Sequence, residues 1–117
     1  KHASDFLVED QTHIITVSSL AAKKGMANIS AYCASKFALN GLIESVREEW
    51  KHLGVRFSTL MPGAIYTPLW DDEDEELPRD QMMSIEDFMH VFQMVASSPS
   101  HLQFPEMTFL HKTGVIE

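Results

Sequence analysis

Apolar residues in this chain fall into blocks of two different periods, and the switching between them sets the architecture. His13–Val17 (HIITV) is short, β-branched and apolar without alternation, the pattern of a strand covered on both faces. From about Ala31 to His52 the period becomes helical, with Leu39, Leu42, Ile43, Val46 and Trp50 forming an apolar stripe. Ser30 stands where an N-cap is expected, and Gly54 where a left-handed residue ends the helix. Gly41 inside the stripe costs on the order of 1 kcal/mol relative to alanine, so it is expected to mark a close packing contact. Val55–Met61 returns to strand character and ends at Pro62-Gly63. Ser84-x-x-Asp87 has the form of a capping box, opening a second helix with Ile85, Phe88, Met89, Phe92 and Val95 as its apolar positions. Ser97-Ser98-Pro99 stops that helix, and Thr108–His111 predicts a third strand. At the start, Ala3, Phe6 and Leu7 share one helical face with no start signal ahead of them, as in a helix cut part-way along. Strand, helix, strand with short connections is a βαβ unit, which makes the class α/β with a parallel sheet.

Composition narrows the function classes. With 44% apolar and 22% charged residues in 117, the chain suits one small globular domain. A net charge of −8 argues against nucleic acid and against an anionic membrane surface, since both need clustered cations. Six acids run unbroken from Asp71 to Glu76, expected as a solvated loop; no Asp-x-Asp-x-Asp-Gly spacing suggests a hard-cation site. Cys33 is the only cysteine, which rules out an internal disulfide or a Cys-based zinc site. The six histidines (2, 13, 52, 90, 101 and 111) never fall four apart, so no metal site is expected. No stretch approaches the length of a membrane span and no signal peptide is read, leaving the cytoplasm as the default location.

Candidate chemistry gathers behind the first strand. Tyr32 and Lys36 are four residues apart and therefore stack on one helical face. Ser19, thirteen residues before Tyr32, ends the strand and can be carried to that face by the loop containing Gly25. The three offer a proton-giving phenol, a cation that eases the transfer, and a hydroxyl to hold a reacting oxygen. A phenol is a poor acid or base near neutrality without such help. One βαβ unit later comes Pro62-Gly63-Ala64-Ile65-Tyr66-Thr67.

On Ser19, Tyr32, Lys36 and the Pro62-Gly63…Thr67 turn, the chain resembles the short-chain dehydrogenase/reductase family from His13 to about Leu69. The resemblance implies a Rossmann-like, doubly wound parallel sheet and carbonyl–alcohol interconversion with NAD or NADP. It makes Tyr32 the acid/base and Ser19 the holder of the substrate oxygen, in preference to Ser18. Lys36 would serve both Tyr32 and the nicotinamide-side ribose. Pro62, Gly63, the backbone near Ile65 and the Thr67 hydroxyl would line the nicotinamide. The family's Gly-rich phosphate turn is missing: the five glycines (25, 41, 54, 63 and 114) never come closer than nine residues. Residues 1–117 are therefore read as a single partial domain, the carboxyl-terminal half of such a fold. The segment after Thr67 often forms a substrate lid in the family, and Trp70, Met82 and Met83 hint at an apolar ligand. Members often associate through the Tyr/Lys helix, so a homo-oligomer is expected, with Phe37, Leu42 and Trp50 as candidate contacts. A catalytically inactive interaction module is the competing expectation.

Overall fold

The computed structural model describes residues 12–68 and 78–114. Its elements run β1 (His13–Val17), α1 (Ser30–Glu49), β2 (Arg56–Pro62), α2 (Ile85–Ala96) and β3 (Met107–Phe109), with short 3-10 turns at Leu20–Ala22, Lys51–Leu53 and Arg79–Gln81. The sheet is parallel throughout in the order β1-β2-β3. Register pairs His13 with Arg56 and Val17 with Leu60, then Leu60 with Met107 and Pro62 with Phe109. The fold is thus α/β and Rossmann-like. The expected helix around Ala3–Leu7 and the acidic run Asp71–Glu76 lie outside the described residues.

β2 is the centre of the core because, among the described strands, it is the one paired on both edges. Phe57, Leu60 and Met61 are buried, and so are the polar Ser58 and Thr59 between them. Ser58 is tolerated because its Oγ accepts the Phe104 N–H at 2.9 Å and shares a hydrogen bond of 2.7 Å with His13 Nε2. The approach to β3 completes the β2 ladder before pairing proper begins. Gln103 Oε1 accepts the Phe57 N–H at 2.9 Å, and the Phe104 carbonyl accepts the Thr59 N–H at 2.9 Å. Trp50 and Phe57 pack with ring centroids 6.2 Å apart, joining the end of α1 to β2, while Phe88 meets Phe109 at 6.1 Å from α2.

Several boundaries differ from the sequence expectation, each for a physical reason. Ser30 is the first helical residue, not the cap; Ile29 occupies that position without a side-chain bond, and Asn28 before it takes φ 68°. Asparagine tolerates that left-handed conformation better than most residues, so the turn is made one step early. α1 ends at Glu49, and the last turn tightens to 3-10 before Gly54 closes it at φ 70°. Gly41 faces open space, so the close contact expected there is absent. Leu42 is 59% exposed while Leu39, Ile43, Val46 and Trp50 are half-buried. At about 100° per residue, Leu42 lies about 60° to one side of Leu39, off the line the others share. β3 runs from Met107 to Phe109, starting one residue earlier and ending two residues earlier than expected; its pairing closes where the Gly63 N–H, just past β2, donates to the Phe109 carbonyl at 2.8 Å. The capping box forms as read: Ser84 Oγ accepts from Asp87 N–H at 3.0 Å, and Asp87 Oδ2 from Ser84 N–H at 2.8 Å.

Candidate active site

A parallel sheet delivers all its strand ends to one rim, and the candidate residues of the first two strands leave from that rim. Ser18 extends the β1–β2 ladder by donating its N–H to the Leu60 carbonyl at 2.8 Å; its side chain is buried, and its Oγ has no hydrogen-bond partner among the described residues. Ser19, half-buried, has extended backbone and caps the Leu20–Ala22 turn: its Oγ accepts the Ala21 N–H at 3.1 Å. A serine hydroxyl has one proton and two acceptor positions. The Ala21 bond takes one acceptor position and fixes the oxygen, leaving the proton to donate elsewhere.

That turn packs against α1, and the buried residues of the two elements are the small Ala21, Ala22 and Cys33. Small side chains there let the helix approach closely, which is the structural use of Cys33. Tyr32 is 46% exposed, and the Lys36 Nζ lies over its ring, 5.6 Å from the centroid. The i,i+4 pair therefore meets as the spacing predicts. Ser35, between them, turns its hydroxyl back to the Tyr32 carbonyl at 2.7 Å and stays out of the way.

On the β2 side, Pro62 and Gly63 are buried at the strand end. Ile65 forms a parallel bridge to Met83, with Tyr66 N–H donating to the Met83 carbonyl at 2.9 Å and Met83 N–H to the Ala64 carbonyl at 3.0 Å. These bonds pin the turn after β2 against the entry to α2. Thr67 is half-buried beside Tyr66, and the Arg79 guanidinium stacks on the Tyr66 ring at 4.5 Å. The sequence singles out Met82 and Met83 and includes Tyr66 in the Pro62–Thr67 stretch, but gives no sign of Arg79. Ile85, on the apolar face by its periodicity, is 49% exposed.

Away from the rim, His13 stands at the start of β1. Burial, with the neighbouring Arg56 charge adding to it, holds its pKa below the ordinary 6.5. Its Nδ1 is buried without a hydrogen-bond partner among the described residues. Asp87, exposed at the start of α2, is held below 3.8 by the backbone and side-chain hydrogen bonds of Ser84.

The family model for short chain dehydrogenases matches residues 1–78, and the chain belongs to that family. A sepiapterin reductase from Chlorobaculum tepidum is 41% identical over 71 residues, 61% of this chain and 29% of that protein. Among solved structures, a short-chain dehydrogenase/reductase from Vibrio parahaemolyticus superposes with TM-score 0.72 at 28% identity, covering 89% of this chain and 46% of that one. An alcohol dehydrogenase from the archaeon Thermococcus sibiricus, complexed with 5-hydroxy-NADP, has the same fold at TM-score 0.75 and 17% identity, over 90% of this chain and 44% of its own. The chain thus spans less than half the length of these relatives. Among the described residues, no helix is long and apolar enough to cross a membrane.

Proposed function

We propose that this chain carries the catalytic and nicotinamide-facing part of an NAD(P)(H)-dependent oxidoreductase that interconverts a carbonyl and an alcohol. One observation carries the reading. Ser19 Oγ is fixed by the Ala21 N–H with its own proton left to donate, beside a helix on which the Lys36 ammonium lies over Tyr32. In the reductive direction the Tyr32 hydroxyl gives its proton to the carbonyl oxygen, which Ser19 holds by hydrogen bond. In the oxidative direction Tyr32 takes the proton from the alcohol. Lys36 keeps a positive charge at the phenol and is the donor for ribose hydroxyls.

The residues present fit the nicotinamide end of a dinucleotide. Pro62 and Gly63 are buried at the end of β2, and the Thr67 hydroxyl and the backbone near Ile65 are suited to the carboxamide. The dinucleotide supplies or accepts the hydride when bound. NAD and NADP are equally compatible with these residues. For the pyrophosphate end, the scattered glycines build no cradle. Residues 1–117 are accordingly assigned as the carboxyl-terminal part of a larger dinucleotide-binding domain. An intact mass near 13.3 kDa for the native polypeptide would overturn that assignment, and one roughly twice as large would support it.

A second reading, a non-catalytic association module, is favoured by Phe37 and Leu42, exposed at 47% and 59% along α1. Tyr32→Phe separates the two. Carbonyl reduction, followed as loss of reduced nicotinamide, is expected to fall by roughly 10²–10⁴-fold. Self-association by sedimentation should stay unchanged. Reduction within a few-fold of wild type would refute the catalytic role of Tyr32.

A further inference from the structure

Lys23 closes the Leu20–Ala22 turn, and its side chain leaves the turn to meet Glu106 at the entry to β3, past the intervening β2. Its Nζ lies 3.2 Å from Glu106 Oε1 and 3.1 Å from Oε2, so one ammonium holds both oxygens of a carboxylate 83 positions away. The Glu106 end is a fixed post. Phe104 gives its carbonyl to the Thr59 N–H and its N–H to Ser58 Oγ, and Met107 pairs with Leu60. Pro105, just before Glu106, has a locked φ. The Lys23 end belongs to the turn that carries Ser19. The Ser19 carbonyl accepts the Ala22 N–H at 3.0 Å, the Leu20 carbonyl the Lys23 N–H at 2.9 Å, and Ser19 Oγ the Ala21 N–H at 3.1 Å. Residues joined in this way move together, so a tether on Lys23 is a tether on the Ser19 hydroxyl. Beyond Lys23 the chain is exposed at Lys24 and Gly25, and a Cβ at Gly25 would meet nothing within 4 Å. The loop therefore gives the turn little restraint from that side.

We propose that Lys23 and Glu106 are positioning residues for the reaction: their ion pair fixes the Ser19-bearing turn relative to β3 and so sets where the Ser19 hydroxyl meets the reacting oxygen. The inference rests on the oxidoreductase reading of Ser19. Side chains 46% and 32% exposed make a pair that adds little to stability. A misplacement of about 1 Å near a reacting group nevertheless costs on the order of 10²-fold in rate. The effect should fall on kcat, because the Ser19 bond strengthens as charge develops on the oxygen, and much less on KM.

The test follows reduction of acetophenone and of butane-2,3-dione by the full chain, with NADH and with NADPH. Lys23→Met and Glu106→Gln should each lower kcat by roughly tenfold and change KM by less than about threefold. A cation acting on the site by charge alone would give no loss in Glu106→Gln, which frees Lys23. The charge-swapped pair, Lys23→Glu with Glu106→Lys, should recover to within about threefold of wild type. In a Ser19→Ala background, Lys23→Met should change the rate by less than about twofold, since nothing is left to position. A readout free of turnover is amide hydrogen exchange in Glu106→Gln: the Ala21 and Ala22 amides should exchange roughly tenfold faster while that of buried Thr59 stays unchanged. Unchanged exchange at Ala21, kcat near wild type in either single variant, or the full loss persisting without the Ser19 hydroxyl would overturn the proposal and leave the reductase reading standing. No turnover of either carbonyl by wild type, together with faster exchange in Glu106→Gln, would instead overturn the reductase reading and keep the tether between turn and strand.

Discussion

Removing the Arg56 guanidinium tests how the segment after α2 is held to the sheet. Arg56 opens β2, and its Nη1 lies 3.0 Å from the carbonyl oxygens of Pro99 and Leu102, 3.1 Å from Ser98 Oγ and 3.5 Å from the Ser98 carbonyl. That nitrogen has two protons, so at most two of the four bonds are well made at once. A hydrogen bond from a charged donor contributes roughly 1.5–3 kcal/mol, and the half-exposed setting lowers the return because water can replace the donor. Arg56→Met keeps most of the stem and is expected to destabilise by about 2–3 kcal/mol. In urea, with a slope of about 1–3 kcal/mol per molar, the unfolding midpoint should fall by roughly 0.7–3 M, followed by circular dichroism. Arg56→Lys keeps the charge but not the fork, and should recover only part of the loss. The same substitution removes a charge that helps hold His13 down, so the His13 imidazole should titrate closer to 6.5 by NMR in Arg56→Met. A midpoint within about 0.3 M of wild type would refute the clamp, given the same slope. An unmoved His13 titration would refute the electrostatic link.

Other expectations are narrower. Ser84→Ala removes the acceptor for the Asp87 N–H and should cost about 1 kcal/mol of unfolding free energy; Ser84→Gly should cost less, and equal losses would argue against a capping role. His13 has a folded pKa below its ordinary 6.5, so the unfolded chain binds more protons; the stability it contributes is complete above 6.5 and is lost as pH falls towards the folded value. His13→Gln should flatten that part of the pH–stability profile, and an unchanged slope between pH 5 and 6.5 would count against the burial account. Asp87 acts the same way lower down: its contribution is present above 3.8 and disappears in acid, which Asp87→Asn should abolish in an acid titration of helix content. β1 is an edge strand among the described residues, so residues 1–117 expressed alone should self-associate; a sharp monomer peak in light scattering would contradict this.

Local signals were the legible part. Among the described residues, period and punctuation located both helices and the three strands, because a buried parallel strand and an amphipathic helix leave different repeats in the sequence. The Ser84–Asp87 capping box and the left-handed Gly54 follow from chemistry within four residues, and both formed. The Tyr32–Lys36 contact needed only the helical repeat. Errors arose where a position answers to distant neighbours. Gly41 was read as a packing contact although nothing faces it, and Leu42 was placed on a stripe whose line bypasses it. β3 lies one residue earlier at its start and two at its end than expected, because its extent is set by pairing with β2, which begins at Leu60–Met107.

The residues by themselves determined the class of fold, the order of its described elements and the placing of Tyr32 and Lys36 one helical turn apart. Each of these is written in spacing along the chain. Tertiary structure alone decided that Ser18 turns inward while Ser19 caps the next turn and keeps a proton to donate. It also decided that Tyr66, Met83 and Ile85 meet between the turn after β2 and the start of α2, and that Arg56 grips the turn after α2. Such pairings join residues about 20 to 46 positions apart. No repeat in the chain encodes them; they exist only when parallel pairing brings strand ends and loops to a common rim.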